Sequence, residues 1–406
     1  MRMRRATATL LLCAVPAAAG DWPQWRGPQR DGHAAVAAAT DWPRALTRDW
    51  RIAAGAGHAS PVVAGDRVYL FAREGEEEAL SAHDAATGRR LWRQAEPVAY
   101  TMNPAAMGHG KGPKATPAVA DGRVFTFGIT GTLRAFDAAS GAPLWRRTFP
   151  EHARSEPEFG AAQSPLVAGG KLVVHVGGAG DGALVALDPK SGRTLWRWTG
   201  DGPGYAAPVA ATLGGVPQVV TLTQTKLVGV ELATGALLWS LPFTTEYEQN
   251  AVTPLVVGDR VIVSGINRPL RALQVGRAGA RFEVATAWEN AELPLYMSSP
   301  VAHAGRLFGF THKQRGRFFA VDLHSGRLLW ASEGRQAEHA SLVLAGETLL
   351  LATSGGELLV ARSGAAGFAP LASYELAGGA VWAHPALAAG RLFVKDADSL
   401  AAFRLP

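Results

Sequence analysis

Cysteine is almost missing from this chain: one residue in 406, Cys13, and it lies in an N-terminal stretch that is itself predicted to be removed. A mature chain without cysteine forms no internal disulfide, holds no thiolate metal site and carries no Cys-x-x-Cys-His haem attachment. Long apolar runs are missing as well, since beyond the N-terminus nothing approaches the roughly 20 apolar residues that cross a bilayer. His-x-x-x-His, Gly-x-Ser-x-Gly and the calcium-loop pattern do not occur, so no zinc-protease, serine-hydrolase or EF-hand chemistry is indicated and neither metal nor catalytic residues are expected. Charge of one sign is scarce too. Three of the 40 basic residues fall in the first five positions, leaving 37 against 34 acids, with no basic cluster of the kind that marks nucleic-acid binders.

The N-terminus reads Met1-Arg2-Met3-Arg4-Arg5, an apolar run from Ala6 to Val15, then Pro16-Ala17-Ala18-Ala19-Gly20. A basic flank, a short apolar centre and small residues before a polar start make a secretory signal, cut near Ala19 or Gly20. Leu12 precedes Cys13, whereas a lipoprotein signal places a small residue there. The expected product is exported, periplasmic or extracellular, and soluble rather than lipid-anchored. The organisation predicted is a signal at 1–20, an N-terminal arm at 21–48 and one domain at 49–406.

That domain is repetitive. An acid, a glycine four residues on and a tryptophan eight residues on recur at constant spacing: Asp84, Gly88, Trp92; Asp137, Gly141, Trp145; Asp188, Gly192, Trp196; Glu231, Gly235, Trp239; and Asp322, Gly326, Trp330. A second phrase precedes it, a small residue and proline opening an apolar run, at Pro61, Pro117, Pro165, Pro208, Pro254, Pro300 and Pro385, with Leu342 in the equivalent place of a weaker copy. Eight units result. In the second unit the predicted strands are Ala118 to Ala120, Arg123 to Phe127, Leu133 to Asp137 and Pro143 to Arg147, joined by glycine-bearing turns. The Gly177 to Gly182 run joins two such strands and opens no helix, so it is a hairpin and not a phosphate loop.

The acid heads a tight turn and accepts backbone N–H bonds, the glycine supplies a positive φ, and the tryptophan fills the wedge toward the next sheet. A four-stranded sheet of this size cannot bury both faces alone, and radial stacking solves the problem. The expected fold is all-β, an eight-bladed β-propeller of four-stranded antiparallel blades. The last unit lacks its tryptophan strand; Leu46 to Ile52, with Asp49-Trp50, is expected to supply it from the N-terminus. The fifth copy, Leu270 to Glu289, lacks the turn, and the seventh, Ser341 to Leu376, has neither proline nor tryptophan in phase.

The phrases Ala135-Phe136-Asp137-Ala138-Ala139-Ser140-Gly141 and Ala186-Leu187-Asp188-Pro189-Lys190-Ser191-Gly192, each followed by Leu-Trp, resemble the pyrroloquinoline-quinone-like repeat propellers, from about Pro61 to Pro406. The leader Asp21-Trp22-Pro23-Gln24-Trp25-Arg26-Gly27-Pro28-Gln29-Arg30-Asp31-Gly32 is similar to that of secreted bacterial members. The resemblance implies eight blades, a cell-envelope address and similarity to the propeller lipoprotein of the outer-membrane β-barrel assembly machinery. Its quinone-dependent dehydrogenases are longer, and many carry a vicinal cysteine pair. No cofactor is therefore expected here, and pyrroloquinoline quinone with a divalent cation belongs only to the alternative reading of an oxidoreductase.

Loops converge on one axial face of a propeller, and binding sites gather there. Three residues before the aligned prolines lie His58, Lys114, Tyr205, Met297, His339 and Trp382, with alanines in the remaining places. Flanking loops add His109, Lys111, Glu246, Tyr247, Asn250 and Tyr296, and the middle loops add Lys226, Arg268, His312, Lys313, Arg315 and Lys395. A mildly basic funnel with aromatic walls is expected, suited to an envelope protein, a glycan or an anionic ligand, on a monomer with no nucleic-acid partner.

Overall fold

The computed structural model describes residues 20–35, 41–152 and 158–406. The predicted signal, Cys13 included, lies outside them apart from Gly20. Each of the eight units forms a sheet whose strands follow one another from the axis outward. In the second blade these are Ala118–Ala120, Arg123–Phe127, Leu133–Asp137 and Pro143–Arg147, matching the sequence expectation residue for residue. The innermost strand of the first blade, Val62–Ala64, adjoins that of the second on one side and that of the eighth, Ala386–Ala388, on the other, so the ring closes.

Closure uses the strand anticipated from the N-terminus. Thr47–Ala53 pairs antiparallel with Ser399–Arg404 and becomes the outermost strand of the eighth blade. Asp49, beneath that edge, is bound by Arg391 at 2.8 Å and Arg404 at 2.7 Å.

The core lies between sheets. Phe125, Phe127 and Leu133 of the second blade interleave with Leu172, Val174 and Val185 of the third, each burial contributing ~1.5–3 kcal/mol. The repeated phrase builds the outer part of five of these joints. Asp188 Oδ1 accepts from the backbone N–H groups of Lys190 and Ser191, both at 2.9 Å, and from the Ser191 hydroxyl. Gly192 then sits at φ 69°, and a Cβ there would stand 2.9 Å from the ring of Trp145 on the preceding blade. Only glycine combines that φ with so close an approach. The indole N–H of Trp145 donates to the Pro189 carbonyl at 3.1 Å. The tryptophan thus caps the turn of the next blade, not of its own.

A β-bulge just before each of these tryptophans re-aims the strand: Trp145 pairs with Ala135 and Pro143 with Phe136, leaving Leu144 unpaired and exposed. The fifth blade replaces its turn with a long hairpin, Arg268–Ala278 and Arg281–Asn290. The seventh is complete, Ala340–Ala345, Thr348–Thr353, Glu357–Arg362 and Ala372–Glu375, with Tyr374 standing where a tryptophan would be.

Candidate functional site

The N-terminal arm decides what the axis can be. Asp21 accepts from Gly65 N, and Trp22 bridges to Val63, both where the first innermost strand ends. The chain then climbs: the Pro23 carbonyl accepts from Val119 of the second blade at 2.8 Å, and the indole of Trp25 donates to Thr253 of the fifth at 2.9 Å. Arg30 donates to the carbonyls of Ser164, Pro165 and Pro208 in the third and fourth blades, and Arg26 to that of Pro300 in the sixth. Trp22 and Trp25 both contact His384 of the eighth. The segment descends again, with His33–Ala34 pairing in parallel with Leu344–Ala345 of the seventh. All eight blades are touched by one loop of 14 residues, 21–34.

The carbonyls it meets are those of the aligned prolines, at the start of the innermost strands. The arm therefore enters from the opposite face and its tip, residues 24–30, forms the floor beneath the proline face. Arg26 and Arg30 are fully buried, and burial pulls their pKa down to about 10 and about 9. Both remain charged at neutral pH, and carbonyl dipoles, with Asp31 near Arg26, replace the water they lose. They also hold left-handed backbone, φ 58° and 60°, which a non-glycine residue sustains only where its surroundings fix it.

Above this floor the proline face carries an aromatic patch. Trp382 of the eighth blade lies between two parallel imidazoles, His58 at 5.6 Å and His339 at 5.4 Å, with His109 edge-on at 5.0 Å. Desolvation, with Lys114 and His109 nearby, pushes His58 down to about 3, and burial alone takes His339 to about 4. Both rings are neutral at physiological pH. His339 Nδ1 lies 3.0 Å from the Ser298 hydroxyl of the sixth blade. Lys114 donates to the Phe159 carbonyl at 2.6 Å, and burial lowers its pKa to about 8. The Phe159 ring in turn packs at a tilt against Tyr205, whose hydroxyl accepts from Phe159 N at 3.3 Å; burial raises the Tyr205 pKa to about 12. A second group, from the fifth and sixth blades, joins Tyr296, His312 and Gln249: the Tyr296 hydroxyl donates to Gln249 Oε1 at 3.0 Å.

The predicted site residues thus separate. His58, His339 and Trp382 come together; Lys114 and Tyr205 flank Phe159; Tyr296 and His312 meet. Lys395 and Asn250 do not face solvent. The Lys395 ammonium is buried against the carbonyls of Gly57 and Asp396, its pKa lowered to about 8. The Asn250 amide donates to Thr223, Gln224 and Phe243 carbonyls. Both hold loops that the sequence assigned to the surface. Lys313 and Arg315 stand exposed on a one-turn helix beside His312. The arm's plug was missed, and the one signal for it was a pair of arginines within a short Trp-, Gly- and Pro-rich leader.

Among the described residues no group of three His, Cys, Asp or Glu could hold a metal ion, and no helix is long and apolar enough to cross a membrane.

These features define a propeller of the pyrroloquinoline-quinone-like repeat class. A sequence model described as outer membrane protein assembly factor BamB matches residues 48–106 and 76–332, and the chain belongs to that family. A curated relative of that name from Burkholderia pseudomallei is 26% identical, the match covering 73% of this chain and 82% of the relative. One from Shewanella oneidensis is 24% identical over 61% of this chain, which spans only 64% of that relative's length. Among solved structures, BamB from Moraxella catarrhalis superposes with a TM-score of 0.64 at 17% identity, covering 89% of this chain and 98% of that one. Quinohemoprotein alcohol dehydrogenase from Comamonas testosteroni gives a TM-score of 0.66 at 15% identity, over 96% of this chain and 82% of that one. At such identities the structural likeness shows the fold alone.

Proposed function

We propose that this chain is a non-catalytic binding protein of the cell envelope, serving outer-membrane assembly by holding an envelope protein on its proline face. The observation that carries this reading is the plugged axis. The arm sets two buried arginines at the centre of the ring, and fixed positive charge there opposes a divalent cation beneath a quinone, while among the described residues no group of three His, Cys, Asp or Glu could hold a metal. The half-exposed rings of His58, His109 and Trp382 are suited to a partner's apolar or aromatic side chains, with His339 buried behind the indole. Family membership supports a protein partner over a glycan. The relatives' printed role concerns assembly at the outer membrane, and an exported, periplasmic chain suits it.

Affinity capture from envelope extract with the full-length chain and with Trp382→Ala tests this. The parent is expected to retain a defined protein that the variant loses, since truncating a central aromatic typically costs 2 kcal/mol or more, roughly thirtyfold in affinity. Identical captures by both baits would remove the aromatic patch from the account. A quinone spectrum developing after incubation with pyrroloquinoline quinone and calcium would restore the oxidoreductase reading.

A further inference from the structure

Between the second and third blades, away from Trp382, a cavity of about 190 Å³ opens among Phe127, Phe149, His152, Gln163, His175 and Pro203. Two of its side chains are almost fully buried, Gln163 and His175, each 2% exposed, and each keeps a polar atom without a hydrogen-bond partner. Their other atoms fix what those orphans are. His175 Nε2 lies 3.1 Å from the Asp201 carbonyl, and burial lowers the ring's pKa to about 4. A carbonyl only accepts, so in the neutral ring Nε2 carries the proton and Nδ1 presents a lone pair. Gln163 Nε2 donates to the Gly204 carbonyl at 3.1 Å, which leaves Oε1, also an acceptor, unmatched. Behind His152, whose Nδ1 is 3.0 Å from Asp181 Oδ1, the second Asp181 oxygen is likewise buried and unpartnered.

Two acceptors on side chains lining the cavity, with the Asp181 carboxylate oxygen behind His152, lack a donor, and such groups are costly in a folded protein, about 1–3 kcal/mol each. They ask for a ligand that brings N–H groups and no lone pairs. The two phenylalanine rings ask for a flat one, and the carboxylate for a positive one. We propose that this cavity is a binding site for a guanidinium group, received as an arginine side chain of a peptide ligand. The plane of the guanidinium lies between the aromatic walls, its N–H groups satisfy Gln163 Oε1 and His175 Nδ1, and Asp181 offsets its charge. The site is independent of the aromatic patch on the axis, so failure of either leaves the other standing.

The test uses the full chain with isotope-labelled histidine and the probe N-acetylarginine methylamide. Expected is a saturable, millimolar-range shift of the His175 ring nitrogens that the lysine and norleucine analogues do not produce, and an affinity about tenfold weaker in Gln163→Met, the loss of one matched acceptor. Phe149→Leu, which removes a wall and no polar atom, provides a second variant should the first fail to fold, and it too is expected to weaken binding. No shift with any probe would mean the acceptors are met by water alone and would overturn the proposal. So would equal binding of the norleucine analogue, or of N-acetylglutamine methylamide, or undiminished affinity in both variants.

Discussion

Two kinds of joint hold this ring together, and they differ in how much each relies on the repeated phrase. Where the next blade carries the acid-to-glycine turn, the indole N–H reaches its carbonyl: Trp50 to Ala85, Trp92 to Ala138, Trp145 to Pro189, Trp196 to Leu232 and Trp288 to Leu323, all within 2.9–3.2 Å. Where the next blade lacks the turn, the tryptophan survives but its bond does not. Trp239 turns back to Gln218 of its own blade at 2.7 Å. Trp330 keeps a buried N–H without a partner and packs at a tilt against Phe368, centroids 5.6 Å apart. At the joint after the seventh blade, Tyr374 donates to the Pro43 carbonyl at 2.6 Å beside Trp42. A regular joint is a local motif read by its neighbour; an irregular one is assembled from whatever the chain brings near.

The largest effect follows from the arm, which serves both kinds of joint. Its Pro43 carbonyl meets Tyr374 at an irregular joint, the closing strand that continues it supplies Trp50 for the regular joint onto Gly88, and its buried arginines bind carbonyls of the third, fourth and sixth blades. Deleting residues 21–53 should leave the eighth blade one strand short and the axis open. Loss of a single cooperative melt is expected, and calorimetry showing the parent's transition at an unchanged temperature would show that the ring closes without it.

A smaller effect separates the halves of the ring by pH. The irregular side leans on buried histidines: His339 joins the sixth and seventh blades through Ser298, and His384 reaches the Leu342 carbonyl from the eighth. Burial depresses His339 to about 4 and, with Arg26 adding repulsion, His384 to about 3. The unfolded chain takes up those protons near pH 6.5 while the folded one does not. Stability is therefore complete above pH 6.5 and falls as pH drops toward 4, by about 1.4 kcal/mol per pH unit for each such histidine. Native-state amide exchange at pH 5 should show the sixth to eighth blades, and the first through His58, opening before the fourth and fifth, which hold no histidine from Tyr205 to Asn290. Uniform opening would mean that these histidines report only on the whole molecule, as His175 in the third blade also does, its pKa lowered to about 4.

The same contrast explains what could be read from sequence. The regular joints were legible because acid, glycine and tryptophan lie at constant spacing within one hairpin, and local hydrogen bonds enforce that spacing. The closing strand was legible from the absence of one tryptophan and the presence of another at position 50. Carbonyl partners leave no trace in side-chain identity, so the arginine plug stayed hidden, as did the role of Tyr374. Lys395 and Asn250 were assigned to the open face on residue type, whereas the ring buries them because each finds backbone carbonyls to bind. The Gln163 and His175 cavity gave no signal either, since single polar residues in strands are ordinary until their neighbours fail to match them.

The smallest predicted effect is the sharpest check on the two kinds of joint. Trp145→Phe and Trp330→Phe remove similar ring area at corresponding outer-strand positions, but only the first breaks a hydrogen bond, leaving the Pro189 carbonyl unmatched. Trp330→Phe instead deletes an N–H that was already unpaired, and returning that group to water in the unfolded chain no longer favours unfolding. The difference between the two variants should be about 1 kcal/mol in denaturant-induced unfolding, with Trp145→Phe the less stable. Equal losses would mean that the indole acts only by filling the wedge, and the distinction between joints would then rest on packing of the glycine turn alone.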